Sequence, residues 1–145
     1  MPSLPAHEPP PTAHSHRFVV NAGDIDELGH ANNVVWVRWV NEVAIAHSRS
    51  VGLGHEVYLR LGVLWVVRRH DIEYLLPALV GQELEAHTWI ATLRGATSLR
   101  RTVFRRPVDD RVLSRAETTW ALIDAATGRP RRIPGEMLAR YGFSG

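Results

Sequence analysis

The residues best suited to chemistry crowd into one stretch, Gly23 to Asn33, which reads Gly-Asp-Ile-Asp-Glu-Leu-Gly-His-Ala-Asn-Asn. Carboxylates and imidazole are common general bases, and carboxylates also attack carbonyl carbons directly. Asp24, Asp26 and His30 therefore form a set that can activate water or act as a nucleophile. Each also has a structural use: Asp and Asn close turns by accepting from backbone N–H groups two residues on, and a histidine can pack or cap a loop. On the residues alone, catalysis and an Asx turn stand level for Asp26. Asp24 reads better as a support for the loop. His30 is placed to orient Asp26, to bind the attacking water, to touch a substrate, or to cap the loop. Gly29 supplies a backbone geometry or a close approach that a side chain forbids.

The segment C-terminal to these residues must position them. Asn32 or Asn33 is a natural N-cap, and an apolar run, Val34 to Ala46, is broken mainly by Arg38, Asn41 and Glu42. The pattern predicts a helix to about Val51 with Gly52 at its C′ position, apolar almost all round and hence buried. The helix N-terminus presents unpaired N–H groups and the positive end of a dipole, suited to an anion or a developing oxyanion. The backbone N–H of Asn33 is the candidate to polarise a carbonyl oxygen there. Glu42 lies more than two turns into the helix and reads as the ion-pair partner of an arginine.

A chain of 145 residues suits one domain with one core, and 45% hydrophobic residues make it globular. No apolar run approaches the ~20 residues that span a bilayer, so no membrane partner is expected. The proline- and histidine-rich start does not read as a signal peptide. There is no cysteine, which excludes disulfides and thiolate chemistry and fits a cytoplasmic protein. All 17 basic residues are arginine, so any phosphate contact uses a planar guanidinium. A net charge of +2 is too small to argue for nucleic acid. The arginine pairs at 68–69, 100–101 and 105–106 and the cluster at 129–132 lack interleaved aromatics. A solvated sheet face is their default, an anionic small ligand comes second, and nucleic acid is not expected. Ser98 and Ser114 lack the Gly-x-Ser-x-Gly context, and neither a phosphate loop nor a His-Glu-x-x-His motif occurs. His14 and His16 do not make a metal site; no metal and no cofactor are expected.

Taken in order, residues 1–14 hold five prolines and read as a disordered or loosely ordered tail. Residues 15–145 read as one domain. Arg17 to Asn21 is a short strand, leading into the polar loop and the long helix. One or two helical turns or a folded loop occupy 53–62. Four strands come next, at 63–76, 82–94, 97–107 and 111–125, and a short helix at 133–141 opens with Pro134. Short connections between consecutive strands imply an antiparallel sheet. The reading is α+β: a long central helix packed on an antiparallel sheet of about five strands. The strand at 97–107 or its neighbours is expected to leave an open edge, and open edges are normally covered or paired.

The run Asp24-x-Asp26-x-x-Gly29-His30-x-Asn32-Asn33-x-x-Trp36 resembles the loop of hotdog-fold acyl-CoA thioesterases of the 4-hydroxybenzoyl-CoA thioesterase group. It also resembles the loop of plant acyl-carrier-protein thioesterases. Arg69-His70-Asp71-Ile72-Glu73-Tyr74-Leu75-Leu76-Pro77 and Gly81-x-Glu83-Leu84 continue the resemblance, which covers about His16 to Phe143. Trp36 stands where the family often has tyrosine, and Leu28 where the plant enzymes carry an asparagine. The resemblance implies a hotdog fold and hydrolysis of an acyl thioester to free acid and CoA. Asp26 becomes the catalytic carboxylate, with His30 and Asn33 in the site. Gly29, Asn32 and Trp36 are implied at the substrate, with Arg68, Arg69, Arg100 and Arg101 as candidates for the CoA phosphates. It further implies a homodimer, or a tetramer, with acyl-CoA between subunits. Other expectations are a non-catalytic acyl-CoA-binding hotdog module, an acyl-carrier-protein thioesterase and, on His30 beside Asp26, a hotdog dehydratase.

Overall fold

The computed structural model describes residues 8–144; residues 1–7, half of the expected tail, lie outside them. Strand β1 (His14–Val19) leads through a 3-10 turn (Ala22–Asp24) to helix α1 (Asn33–Ser50) and helix α2 (His55–Leu61). Strands β2 (Val63–Tyr74), β3 (Glu83–Arg94), β4 (Thr97–Arg106) and β5 (Arg111–Asp124) come next, and helix α3 (Gly135–Arg140) ends the chain. The first strand begins three residues before the expected Arg17, because His14 to Arg17 pair with Thr88 to Glu85 on β3. Glu8, from the expected tail, reaches the Arg105 guanidinium at 3.4 Å.

The five strands form one antiparallel sheet in the order β1-β3-β4-β5-β2. The β3-β4-β5 meander results from tight turns at Gly95 (φ 61°) and Asp110 (φ 54°). The expected open edge at 97–107 is corrected: β4 is central, and the open edges belong to β1 and β2. Strand β2 reaches the far edge because residues 75–82 cross back to β3, and turn lengths alone do not reveal that crossing.

Helix α1 buries Val35, Trp36, Trp39, Val40, Val43, Ala44 and Ser48, a stripe at helical spacing. Trp36 packs edge-on against Phe104, ring centres 5.1 Å apart, and Trp39 lies 4.9 Å from Phe18. The outer face differs from the expectation of a helix buried all round: Val34 is 73% and Ile45 48% exposed, since one sheet covers only one side. Val51 caps α1 and Gly52 takes φ 81° as expected. A Cβ on Gly52 would also stand 2.8 Å from the Arg140 guanidinium, which folds over the helix end.

The apolar interior is in two parts. One cluster, around Trp36, Trp39, Leu84, Phe104 and Leu113, sits under the first half of α1. The other, around Leu53, Val63, Leu122, Ile133 and Met137, sits under α2 and α3. Between them the inner sheet face carries buried polar residues: Thr88, Ser98, Arg100, Thr102 and Thr118.

Candidate active site

The loop between β1 and α1 is held from three directions. Asp24 is buried; its Oδ2 accepts from the Asn21 N–H at 3.0 Å and its Oδ1 from Arg38 Nη2 at 2.7 Å. Its carbonyl accepts from the Asn32 N–H at 3.0 Å, and Ala31 N–H donates to the carbonyl of Ala78 at 2.8 Å. Ala78 belongs to the crossing between β2 and β3 and is fully buried. Burial pushes the Asp24 carboxyl up, but the Arg38 guanidinium and the Asn21 N–H outweigh it and hold the group below its ordinary range. Asp24 is thus the loop's anchor, in keeping with its reading as a support. Glu42 pairs with Arg38 at 3.2 Å, one turn on, also as read.

Within this frame Asp26 closes a turn. Its N–H donates to the His30 carbonyl at 2.8 Å, and the Gly29 N–H donates to its carbonyl at 3.0 Å. Its Oδ1 accepts from the Leu28 N–H at 2.8 Å and the His30 N–H at 3.3 Å. Among the described residues nothing donates to Oδ2. One carboxylate oxygen is fixed by backbone, and the other stays open to an incoming group. Gly29 has φ 79°, and an added Cβ would meet nothing within 4 Å, so its requirement is conformational rather than one of space. His30 is exposed. It reaches Asp26 through its backbone, with its ring making no hydrogen bond among the described residues.

Helix α1 begins beside this turn. Asn32 is the N-cap and its side chain accepts from the Val34 N–H at 2.9 Å. The Val35 and Trp36 N–H groups turn back to the Asn32 carbonyl. The Asn33 N–H, the first of the helix, has no acceptor among the described residues.

The remaining expected residues lie elsewhere. Trp36 is 2% exposed and packed among Trp39, Phe104 and Tyr74. At helical spacing it points to the sheet. Arg68 is the bulged residue between Val67 and Arg69 on β2 and is exposed; Arg69 pairs with Asp71 at 3.0 Å. Arg101 is half-buried on the sheet face opposite Arg100. Arg100, a candidate for a CoA phosphate, is 4% exposed, on the inner sheet face. The alternation Ser98, Arg100, Thr102, Phe104 contains that signal, because period two puts Arg100 on the face of a core phenylalanine. Ala78 and Arg38 support the loop without any local sequence pattern that marks them for it. No group of three or more His, Asp or Glu suited to a metal occurs among the described residues, and no helix there is long and apolar enough to cross a membrane.

Comparison with known proteins agrees with this architecture. Residues 11–141 match the family described as acyl-ACP thioesterase N-terminal domain. An acyl-CoA thioester hydrolase of Escherichia coli, YbgC, is 33% identical over 118 residues, covering 81% of this chain and 87% of its own. The chloroplastic oleoyl-acyl carrier protein thioesterase 1 of Arabidopsis thaliana is 24% identical over 136 residues, 89% of this chain. The chain spans only 37% of that plant protein's length. The crystal structure of a 1,4-dihydroxy-2-naphthoyl-CoA thioesterase from Synechocystis superposes with a TM-score of 0.82 at 15% identity, covering 89% of this chain and 95% of that one. The five-stranded antiparallel sheet with α1 across it has the hotdog-type thioesterase fold, and the chain belongs to the acyl-ACP thioesterase family.

Proposed function

We propose that the protein hydrolyses acyl-CoA thioesters to the free acid and CoA, with Asp26 as the catalytic carboxylate. The observation that carries the reading is the Asp26 side chain, whose Oδ1 is fixed by two backbone N–H groups while Oδ2 is free. Oδ2 either attacks the thioester carbonyl carbon or takes a proton from the water that does. The C–S bond then breaks, and sulfur leaves as the CoA thiol with a proton that Asp26 or water supplies; in the nucleophilic route a water then hydrolyses the acyl–Asp26 anhydride, releasing the free acid and restoring the carboxylate. The Asn33 N–H stabilises the carbonyl oxygen as charge develops on it, helped by the helix dipole. His30 and Asn32 border the reacting group, and Gly29 keeps the turn that aims Asp26. The loop's resemblance to the 4-hydroxybenzoyl-CoA thioesterase group supports an acyl-CoA substrate in this proposal.

Arg68, Arg69 and Arg101 are the arginines proposed for CoA phosphates. Strand β2 is open along one edge and exposes Leu64, Val67 and Tyr74, which supports a homodimer formed through that edge with the site near the interface. A chain without cysteine suits a reducing compartment, and the activity is assigned to the cytoplasm. The family match favours a second carrier, acyl carrier protein, for the same chemistry.

The test is Asp26→Asn, which keeps an oxygen for the Leu28 N–H but removes the charge. Assayed for thiol release on a panel of acyl-CoA and acyl-carrier-protein substrates, it should lower kcat by the ~10²–10⁴ of lost general-base catalysis. Near-full turnover would refute the mechanism and make Glu42 the next carboxylate to test.

A further inference from the structure

Far from Asp26, between the second half of α1 and the sheet, lies a cavity of about 390 Å³. Its helix side begins at Ala44, eleven residues past Asn33, or about 17 Å along the axis at ~1.5 Å per residue. Ile45, Arg49, His55 and Leu64 line its exposed mouth, while Ser48, Ser98 and Arg100 form its buried floor. Apolar walls include Trp65 and Trp120.

The floor is unusual in its charge. Arg100 Nη1 donates to His47 Nδ1 at 2.9 Å and Thr88 Oγ1 at 3.1 Å, and Tyr141 lines the same cavity. Every one of these acceptors is uncharged. Burial, Arg100 and His14 bring the His47 pKa to about 4, and burial pushes the neighbouring Tyr58 hydroxyl up to about 12. Among the described residues no carboxylate pairs with Arg100. A buried cation without a counter-charge is costly, and buried charges are normally paired. Beside it, the buried Trp120 Nε1–H has no acceptor among the described residues either. A cation without a counter-charge and an N–H without an acceptor thus belong to residues lining one largely apolar cavity.

We propose that this cavity binds an apolar molecule ending in a carboxylate, the carboxylate seated on Arg100 and the apolar body against Trp65 and Trp120. The guanidinium fork matches a carboxylate in plane and spacing. Arg100 thereby stays a ligand-binding residue, though not for a phosphate. The same chemistry comes from two sources: a free long-chain acid, or the acyl group of a thioester carrying a second carboxylate at its far end. The site itself does not depend on the catalytic reading of Asp26.

Trp65 and Trp120 supply the readout. Dodecanoate and dodecanol are titrated against the full chain by tryptophan fluorescence and calorimetry. Dodecanoate should bind about 10- to 100-fold more tightly than the alcohol, the range expected for charged hydrogen bonds. Arg100→Met should remove that preference and leave dodecanol binding as it was, with Arg100→Lys in between. Arg100→Met leaves the His47 and Thr88 acceptors without a donor, and the comparison of the two probes on the parent protein decides even if the variant fails to fold. Equal binding of acid and alcohol, binding of neither, or a preference that survives Arg100→Met would overturn the site. Turnover of dodecanoyl-CoA and its ω-carboxy analogue separates the sources. A preference for the carboxy-ended thioester that is lost in Arg100→Met assigns the acyl group; no such preference, with dodecanoate bound, assigns the free acid. Failure to hydrolyse either thioester refutes the catalytic reading alone, and the binding titration still decides the site.

Discussion

Arg38, in the second turn of α1, donates to Asp24 Oδ1 at 2.7 Å, so the loop that carries Asp26 is pinned to the helix whose N-terminus it faces. The two loop carboxylates should therefore respond differently to loss of charge. Asp24→Asn places an amide against Arg38 at a buried position and should lower stability by ~1–3 kcal/mol, as for other disrupted buried hydrogen bonds. Asp26→Asn, with Oδ1 still able to accept, should leave the melting temperature nearly unchanged while kcat collapses. Thermal melts and thiol-release assays of both variants check the contrast; equal effects of the two substitutions on kcat would dissolve it.

Gly29 gives a conformational test. At φ 79° with open space around it, Gly29→Ala adds no clash but puts an L-residue in the left-handed region, at ~1–2 kcal/mol. Gly29→Asn should cost less, because asparagine tolerates that region. Denaturant titration should rank the three chains glycine, asparagine, alanine in falling stability.

Most of this architecture is legible in the sequence. Alternation and glycine turns delimit β2 to β5 to within two residues, and Asn32 and Gly52 mark the ends of α1. Asp24 as support and Asp26 in an Asx turn both come from residue type. The strand order is not legible, since the place of β2 beside β5 is a long-range pairing that local turns do not encode. The spacing of Trp36 with Trp39, Val40 and Val43 places it in the core without help from the resemblance. Charge groups Arg100 with its neighbour Arg101, although strand parity puts the two on opposite faces.

Stability should fall on acidification. His47 titrates near 4 in the fold and near 6.5 when unfolded. Between those values the unfolded chain binds more protons, so stability drops as pH falls from about 6.5 to 4, by up to ~1.4 kcal/mol per unit. His14 and His70 are also lowered, each mainly by burial, and act in the same direction. His47→Asn keeps an acceptor for Arg100 without a titrating ring. Melting temperatures across pH 5 to 7 (about the range in which histidine changes charge) should slope less in the variant than in the parent.

The edge of β2 predicts the assembly. Val67, 37% exposed, lies mid-strand beside the Arg68 bulge. Val67→Lys puts a charge on the edge, a device that blocks strand addition. Light scattering should show a dimer for the parent at micromolar concentration and a monomer for the variant, with activity falling in step. A parent that is monomeric would remove the interface from the site.

Arg68→Ala and Arg69→Ala should raise KM more than they lower kcat, because a phosphate contact is felt equally by ground and transition states. Unchanged KM in both would take β2 out of CoA binding.

The band of buried polar residues across the inner sheet face has a consequence for cooperativity. The cluster under α2 and α3 shares no residue with the cluster beneath Trp36 and Trp39, and apolar contact does not bridge the band. The layer formed by α2 and α3 is therefore expected to open from the sheet while the Asp24 anchor stays closed. Amide hydrogen exchange would then fall into two populations, with Met137 and Leu138 exchanging through partial opening and Val40 and Phe104 only through global unfolding.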